Sequence, residues 1–188
     1  MIYCVGLPRC GGQTLHTVLR ALYPGRTVLH SVESDKWDTV NKDCVALVEC
    51  YAPVLWCMKM YQWESHTFII NHRQVDQWFA SCKRMLPRAI KRKWNHPLWT
   101  YPESQWYDYY EAYIHDTRNA LICLGARYFE IDATKQHDFR YFCERLGYTG
   151  SFNVNLRWPN IDKFGRCIMN KVVEETLSIP FKIPGTIL

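Results

Sequence analysis

An apolar strand, Ile2-Tyr3-Cys4-Val5, runs straight into Gly6-Leu7-Pro8-Arg9-Cys10-Gly11-Gly12-Gln13-Thr14-Leu15, which reads as a glycine-bearing turn and the start of a helix. A turn of this kind aims consecutive backbone N–H groups at one point, at the positive end of the helix dipole, and so cradles an anion. Gly6 and Gly11 have the spacing that opens the nucleoside-triphosphate loop G-x-x-x-x-G-K-[ST]. The next two positions break that pattern. Gly12 stands where the lysine belongs and Gln13 where the metal-binding hydroxyl belongs. A kinase or ATPase built this way lacks both its phosphate-bridging cation and its Mg²⁺ ligand. The cation has moved to Arg9, inside the loop. The cradle is kept and the chemistry is changed.

The rest of the chain alternates strand and helix. Leu15, Val18, Leu19 and Leu22 recur at helical spacing over about Gly12–Leu22, and Pro24-Gly25 ends that helix. Strands are expected at Thr27–Leu29, Val45–Val48, Phe68–Asn71 and Tyr128–Ile131, with short helices over Val54–Tyr61 and near Asn170–Leu177. This alternation predicts an α/β three-layer sandwich with a central parallel sheet and helices on both faces. At 188 residues the chain suits one domain over 1–188, and 48% hydrophobic content argues against disorder. Nine cysteines, an odd number without C-x-x-C pairs, read as small core residues in a reducing compartment, Cys4, Cys44, Cys123 and Cys143 among them. No His/Cys grouping has metal-ligand spacing, and neither a leader nor a membrane-spanning run is expected. The expectation is a metal-free cytoplasmic protein without a membrane anchor.

The loop resembles that of the sulfotransferase family, whose donor is 3′-phosphoadenosine 5′-phosphosulfate (PAPS). GLPRCGGQTL, from Gly6 to Leu15, aligns without a gap on the family's phosphosulfate loop, commonly GLPR-[ST]-G-T-T-S-L. The resemblance implies a P-loop-like sulfotransferase fold with PAPS as co-substrate and no metal. Pro8, Arg9, Cys10, Gly11, Gly12, Gln13 and Thr14 would then form the donor loop, with Arg9 at the bridging oxygen. Gly12 and Gln13 replace two threonines, so one or two hydroxyl contacts are missing. Farther on, His66–Arg73 is an apolar strand ending in a base, followed by a helix with Val75, Trp78, Phe79 and Cys82 on its inner face. This unit is similar to the family's F-I-L-x-x-R-D-P-x-x-W-x-x-S element, with Gln74-Val75 in place of Asp-Pro. The resemblance implies that Arg73 and Ser81, eight residues apart, bind the 3′-phosphate. Ala126–Asp132, Phe142–Gly147 and Arg157-Trp158-Pro159-Asn160 look like later family segments.

Much of the net charge of +5 lies between Lys83 and Lys93, followed closely by Trp94, Trp99, Tyr101, Trp106, Tyr107, Tyr109, Tyr110 and Tyr113. Bases interleaved with aromatics fit a nucleic-acid surface, or a mouth that attracts a polyanionic donor and stacks on an acceptor. About half of these side chains are expected in the core. Position favours acceptor contact for the others, so the partner expected is a small-molecule or glycan acceptor and not nucleic acid. An acceptor hydroxyl needs a base. The family implies Glu33 first, with His30 close by; Glu49 ranks third, and Tyr51 stands where some members carry a histidine. Two other readings remain open: a kinase-like nucleotide binder with a degenerate loop, and a non-catalytic nucleotide-binding module of the same fold.

Overall fold

The computed structural model describes residues 1–30, 43–49, 66–94, 96–135, 137, 139–148, 158, 160–161 and 167–168. Glu33, Tyr51 and the helices expected at Val54–Tyr61 and Asn170–Leu177 lie outside them. Five strands form the main sheet: β1 (Ile2–Cys4), β2 (Thr27–His30), β3 (Cys44–Val48), β4 (Thr67–Asn71) and β5 (Arg127–Ile131). Their order is β2-β3-β1-β4-β5 and every pairing is parallel. Ile2 of the central strand lies opposite Ala46 on one side and Thr67 on the other. The architecture is the α/β sandwich the alternation predicts, and strand ends differ from expectation by a residue. Asn160–Ile161 (β6) and Cys167–Ile168 (β7) add an antiparallel pair that the sequence did not suggest.

Helices cover both faces, which is why these strands read as continuous apolar runs. On one face, α1 (Gly12–Leu22) and a later helix, Phe139–Leu146, pack Leu15, Val18, Leu19, Phe142 and Cys143 against Ile2, Cys4, Val48, Ile69 and Phe129. On the other, α2 (Val75–Lys91) and α3 (Trp106–Cys123) pack Trp78, Cys82, Trp106, Tyr110 and Leu121 against Tyr3, Val5, Phe68 and Ile70. The period-2 alternation within β1 and β4 thus sends neighbouring residues to opposite cores. Phe139–Leu146 is hereafter α4. Cys4, Cys44 and Cys143 are core residues as expected, but Cys123 is exposed because it ends α3 on the side away from the sheet.

The connections place the site. From β1 the chain turns through α1 to β2 on one flank; from β4 it passes through α2 and α3 to β5 on the other. Adjacent parallel strands whose following segments diverge leave a crevice at their carboxyl ends, the usual ligand position in open α/β sheets. Here that crevice lies between the ends of β1 and β4. Its walls are braced by Tyr113, whose hydroxyl donates to Val5 O at 2.7 Å, and by the two-point contact of Arg118 with Glu130 at 2.6 and 2.9 Å.

Phe142 is buried, with its ring 5.8 Å from Phe129 and 5.1 Å from the buried Trp158. Phe142→Ala is expected to cost about 3–5 kcal/mol, read as a lower urea midpoint at unchanged m-value. A loss below about 1 kcal/mol would show that α4 is not seated as described.

Candidate functional site

Residues 6–14 form a rigid ledge at the crevice floor, held by side chains from β4 and α2. Asn71, fully buried at the end of β4, accepts from Gly6 N–H at 2.9 Å and donates to Cys10 O at 3.1 Å. Trp78 Nε1 donates to Pro8 O at 2.8 Å. Gly6 is required by this packing, since a Cβ there would lie 2.0 Å from Asn71 O. Pro8 and Cys10 therefore serve as framework. The Cys10 thiol is buried in the core, its pKa pushed well up by burial, and its N–H is committed to Leu7 O. The sequence reading had placed Cys10 among the donor-binding groups; the structure gives its side chain to the interior instead.

The ledge ends in an uncapped helix. Gly11, at φ 85°, is the N-cap of α1 with no side-chain cap, and the first turn carries no acidic residue. The first intrahelical bond is Leu15 N–H to Gly11 O, so the N–H groups of Gly11, Gly12, Gln13 and Thr14 have no acceptor among the described residues. Thr14 Oγ1 is buried without a partner, whereas the Gln13 side chain is exposed. Arg9 sits above them in the left-handed region, φ 71°, a conformation costing a non-glycine residue of order 1–3 kcal/mol.

Arg9 Nε donates to Ser81 Oγ at 3.1 Å. Ser81 is buried on α2, and Arg73 lies two residues past the end of β4. Because β1 and β4 are neighbours, Arg9 and Arg73 lie close enough for the Arg9 charge to act on Arg73. Arg73 shows the strain of this arrangement. Its pKa is lowered by burial first and then by the Arg9 charge, with Asp132 opposing, and its Nε is buried without a partner. The Arg73 backbone is gripped at both ends by Tyr110, which accepts from its N–H at 3.0 Å and donates to its C=O at 2.5 Å. Asp132, at the end of β5, is buried and accepts from the Thr134 N–H at 3.1 Å. Asn71, Tyr110 and Asp132 were missed by sequence reasoning. A polar residue closing a wholly apolar strand was the available signal for Asn71.

His30 and Glu49 end β2 and β3 on the other side of the ledge. His30 Nε2 lies 3.5 Å from Glu49 Oε2, and the His16 ring is 5.5 Å from that of His30. The His16 pKa is lowered by burial and then by His30. Glu49, at φ 58°, brings its carboxylate against the loop: a Cβ on Gly12 would lie 2.4 Å from Glu49 Cγ and Oε1. Gly12 thus makes room for Glu49, which explains why a larger residue is missing there.

Unpartnered N–H groups and a buried hydroxyl at the start of α1, and a half-buried guanidinium within range of the Arg9 charge, are groups that suit a tetrahedral oxyanion such as a phosphate or sulfate group. Among the described residues no group of three or more His, Cys, Asp or Glu is placed to hold a metal, and no helix is long and apolar enough to cross a membrane.

Asn71→Ala would leave a buried N–H and a buried C=O unpaired. It is expected to cost about 2–4 kcal/mol in urea unfolding and to weaken sulfate binding by calorimetry. Unchanged stability would mean that the ledge does not depend on this amide.

A family profile described as a sulfotransferase domain matches residues 24–140, more than half of the chain. The matched span contains β2 to β5, Arg73 and Ser81, and begins after the loop at 6–14. Neither the curated proteins nor the solved structures gave a match.

Proposed function

The chain belongs to the sulfotransferase family, and on that premise we propose that it moves a sulfuryl group from PAPS to a hydroxyl or amine of a small-molecule or glycan acceptor. One observation carries the reading: Arg9, just ahead of the uncapped start of α1, binds Ser81 and feels the charge of Arg73, whose Nε has no partner. PAPS supplies a sulfate–phosphate anhydride whose cleavage leaves negative charge on the 5′-phosphate. The N–H groups of Gly11 to Thr14 are fixed dipoles aimed at such a charge, and Arg9 lies where it grows. Donors already in place need no reorganisation as charge develops, so they favour the transition state over the ground state. Arg73 and Ser81 hold the 3′-phosphate: the guanidinium offers its buried Nε, and Ser81, whose oxygen accepts from Arg9, turns its own hydrogen outward.

Proton removal falls to the β2–β3 side. Glu33, first-ranked by resemblance, lies outside the described residues, so the described candidates are His30 and Glu49. In our reading His30 accepts the acceptor's proton and Glu49, 3.5 Å away, stabilises the imidazolium and orients the ring. The free thiols of Cys4, Cys10, Cys44, Cys82, Cys123 and Cys143 support a reducing, cytoplasmic setting as part of the same proposal.

Adenosine 3′,5′-bisphosphate is expected to raise the melting temperature, and ATP with Mg²⁺ to do so far less. Equal stabilisation by both would favour a kinase-like nucleotide binder. Arg73→Ala should weaken bisphosphate binding about 10- to 100-fold, the worth of a charge-assisted contact. Arg9→Ala should lower kcat by about 100-fold or more with a smaller effect on donor affinity, and His30→Ala by a similar factor with donor affinity unchanged. If Arg9→Ala and Arg73→Ala both match the parent in donor binding and turnover, the assignment fails.

A further inference from the structure

The turn after β5 brings a buried carboxylate toward the half-buried cation of the proposed site. β4 and β5 pair in register as far as Asn71 and Ile131, and His72 N–H carries the ladder one step on by donating to Ile131 O at 3.0 Å. Asp132 is the next residue after Ile131, and Arg73 the next after His72, so the two leave adjacent strand ends together. Ala133 then abuts the start of α1: a Cβ on Gly11 would lie 2.8 Å from Ala133 Cβ. The buried Trp158 pins this turn, its Nε1 donating to Ala133 O at 3.3 Å. Backbone, more than flexible side chains, fixes where Asp132 sits.

Asp132 is only 6% exposed, and its two oxygens are held differently. Oδ1 accepts from the Thr134 N–H at 3.1 Å and from the Thr134 hydroxyl at 2.5 Å. Oδ2 has Lys135 Nζ at 3.5 Å, on a mostly exposed side chain. The Asp132 charge reaches Arg73, where it opposes burial and the Arg9 charge. It reaches Tyr110 as well: burial comes first in raising the pKa of that phenol, and the Asp132 charge adds to it. Yet Arg73 Nε, inside this carboxylate's field, takes no hydrogen bond among the described residues. Arg73 is thus steadied by a neighbouring charge and left open to a second anion.

We propose that Asp132 competes with the 3′-phosphate for the charge of Arg73, weakening donor and product binding and speeding product release. The inference rests on the sulfotransferase reading and adds a residue that works against the affinity of its own site. An arriving phosphate meets a guanidinium already partly neutralised, and two anions then share one cation in a setting of low dielectric. Donor and product carry the same 3′-phosphate, so both are loosened. Binding that is equal in ground state and transition state adds nothing to kcat, and a tightly held product slows turnover where release is the slow step. In the ligand-free protein the sign reverses, because the same carboxylate offsets the burial of Arg73. A residue that only shaped the turn would support stability and affinity together. A competitor supports the first and lowers the second.

The test is direct binding, which needs no acceptor. Adenosine 3′,5′-bisphosphate and adenosine 5′-phosphate, which lacks the 3′ group, are titrated by calorimetry into the full chain and its variants, and bisphosphate release is timed by stopped-flow displacement. Asp132→Asn removes the charge and keeps an oxygen for Thr134. It is expected to bind the bisphosphate about tenfold tighter than the parent and to release it about tenfold more slowly, with a change under about twofold for the monophosphate. Its ligand-free melting temperature should fall by a few degrees. On an Arg73→Ala background the same substitution should gain less than about twofold, since the cation in dispute is gone. Lys135→Met touches no core residue and carries the test if Asp132→Asn does not fold. It unmasks the carboxylate and should weaken bisphosphate binding about threefold, with the monophosphate little changed. Unchanged or weaker bisphosphate binding by Asp132→Asn, an equal gain for both nucleotides, or an unaltered Lys135→Met would overturn the proposal. If the parent still binds the bisphosphate in that case, the sulfotransferase reading stands; if the parent does not bind it, that reading falls instead.

Discussion

Everything at the crevice depends on one buried amide. Asn71 closes β4 and reaches across to β1's exit, taking the Gly6 N–H and giving to the Cys10 C=O. Satisfying those two groups from the side consumes no N–H beyond Gly6. The four from Gly11 to Thr14 keep no acceptor among the described residues, where a helix would normally cap them. The amide is held in turn by parallel pairing on both sides of β1, which fixes the offset between loop and strand end. A side chain one atom longer or shorter would miss one of its two partners, so the site's precision comes from sheet register.

That precision carries an electrostatic cost. Arg9 and Arg73 are brought together in a half-buried setting, and burial and mutual repulsion both work against the Arg73 charge. Asp132 offsets part of this but is itself engaged by Thr134 and Lys135. The protein also accepts a left-handed Arg9 and leaves a buried hydroxyl and a buried Nε unpaired. Such concentrations of strain and unmet hydrogen bonding are expected where a fold is shaped for a ligand more than for its own stability. An oxyanion there would pair the orphaned hydroxyl and Nε and offset the repulsion between Arg9 and Arg73.

The fold was legible because its signals are local. Each strand is an apolar run between turn residues, each described helix shows its apolar stripe, and β-then-α order dictates a parallel sheet. The strand–turn–helix unit over residues 2–22 was legible for the same reason: its signals lie in one stretch of chain. What sequence could not supply are contacts across the fold. The Tyr110 grip on the Arg73 peptide joins residues 37 apart, and Asn71 meets Gly6 across 65. Nor does the place of Cys10 in the motif say which way its side chain faces; it joins Leu7 and Val5 in one buried cluster. Cys123 is exposed although Leu121, two residues earlier in the same last turn, is buried, and only the packed fold shows which of the two faces the core.

The departures at positions 12 and 13 gain a physical sense from the β2–β3 side. Position 12 lacks a side chain because Glu49 occupies its space, and Glu49 reaches there through its own left-handed backbone. A threonine would displace the carboxylate and with it the contact to His30. Where the resemblance puts a threonine hydroxyl, the loop has a glycine with a carboxylate–imidazole pair beside it. Thr14, one residue past the exposed Gln13, supplies a buried hydroxyl from the first turn of α1 instead. The hydroxyl has moved along the helix start, and the vacated volume holds groups that can manage a proton.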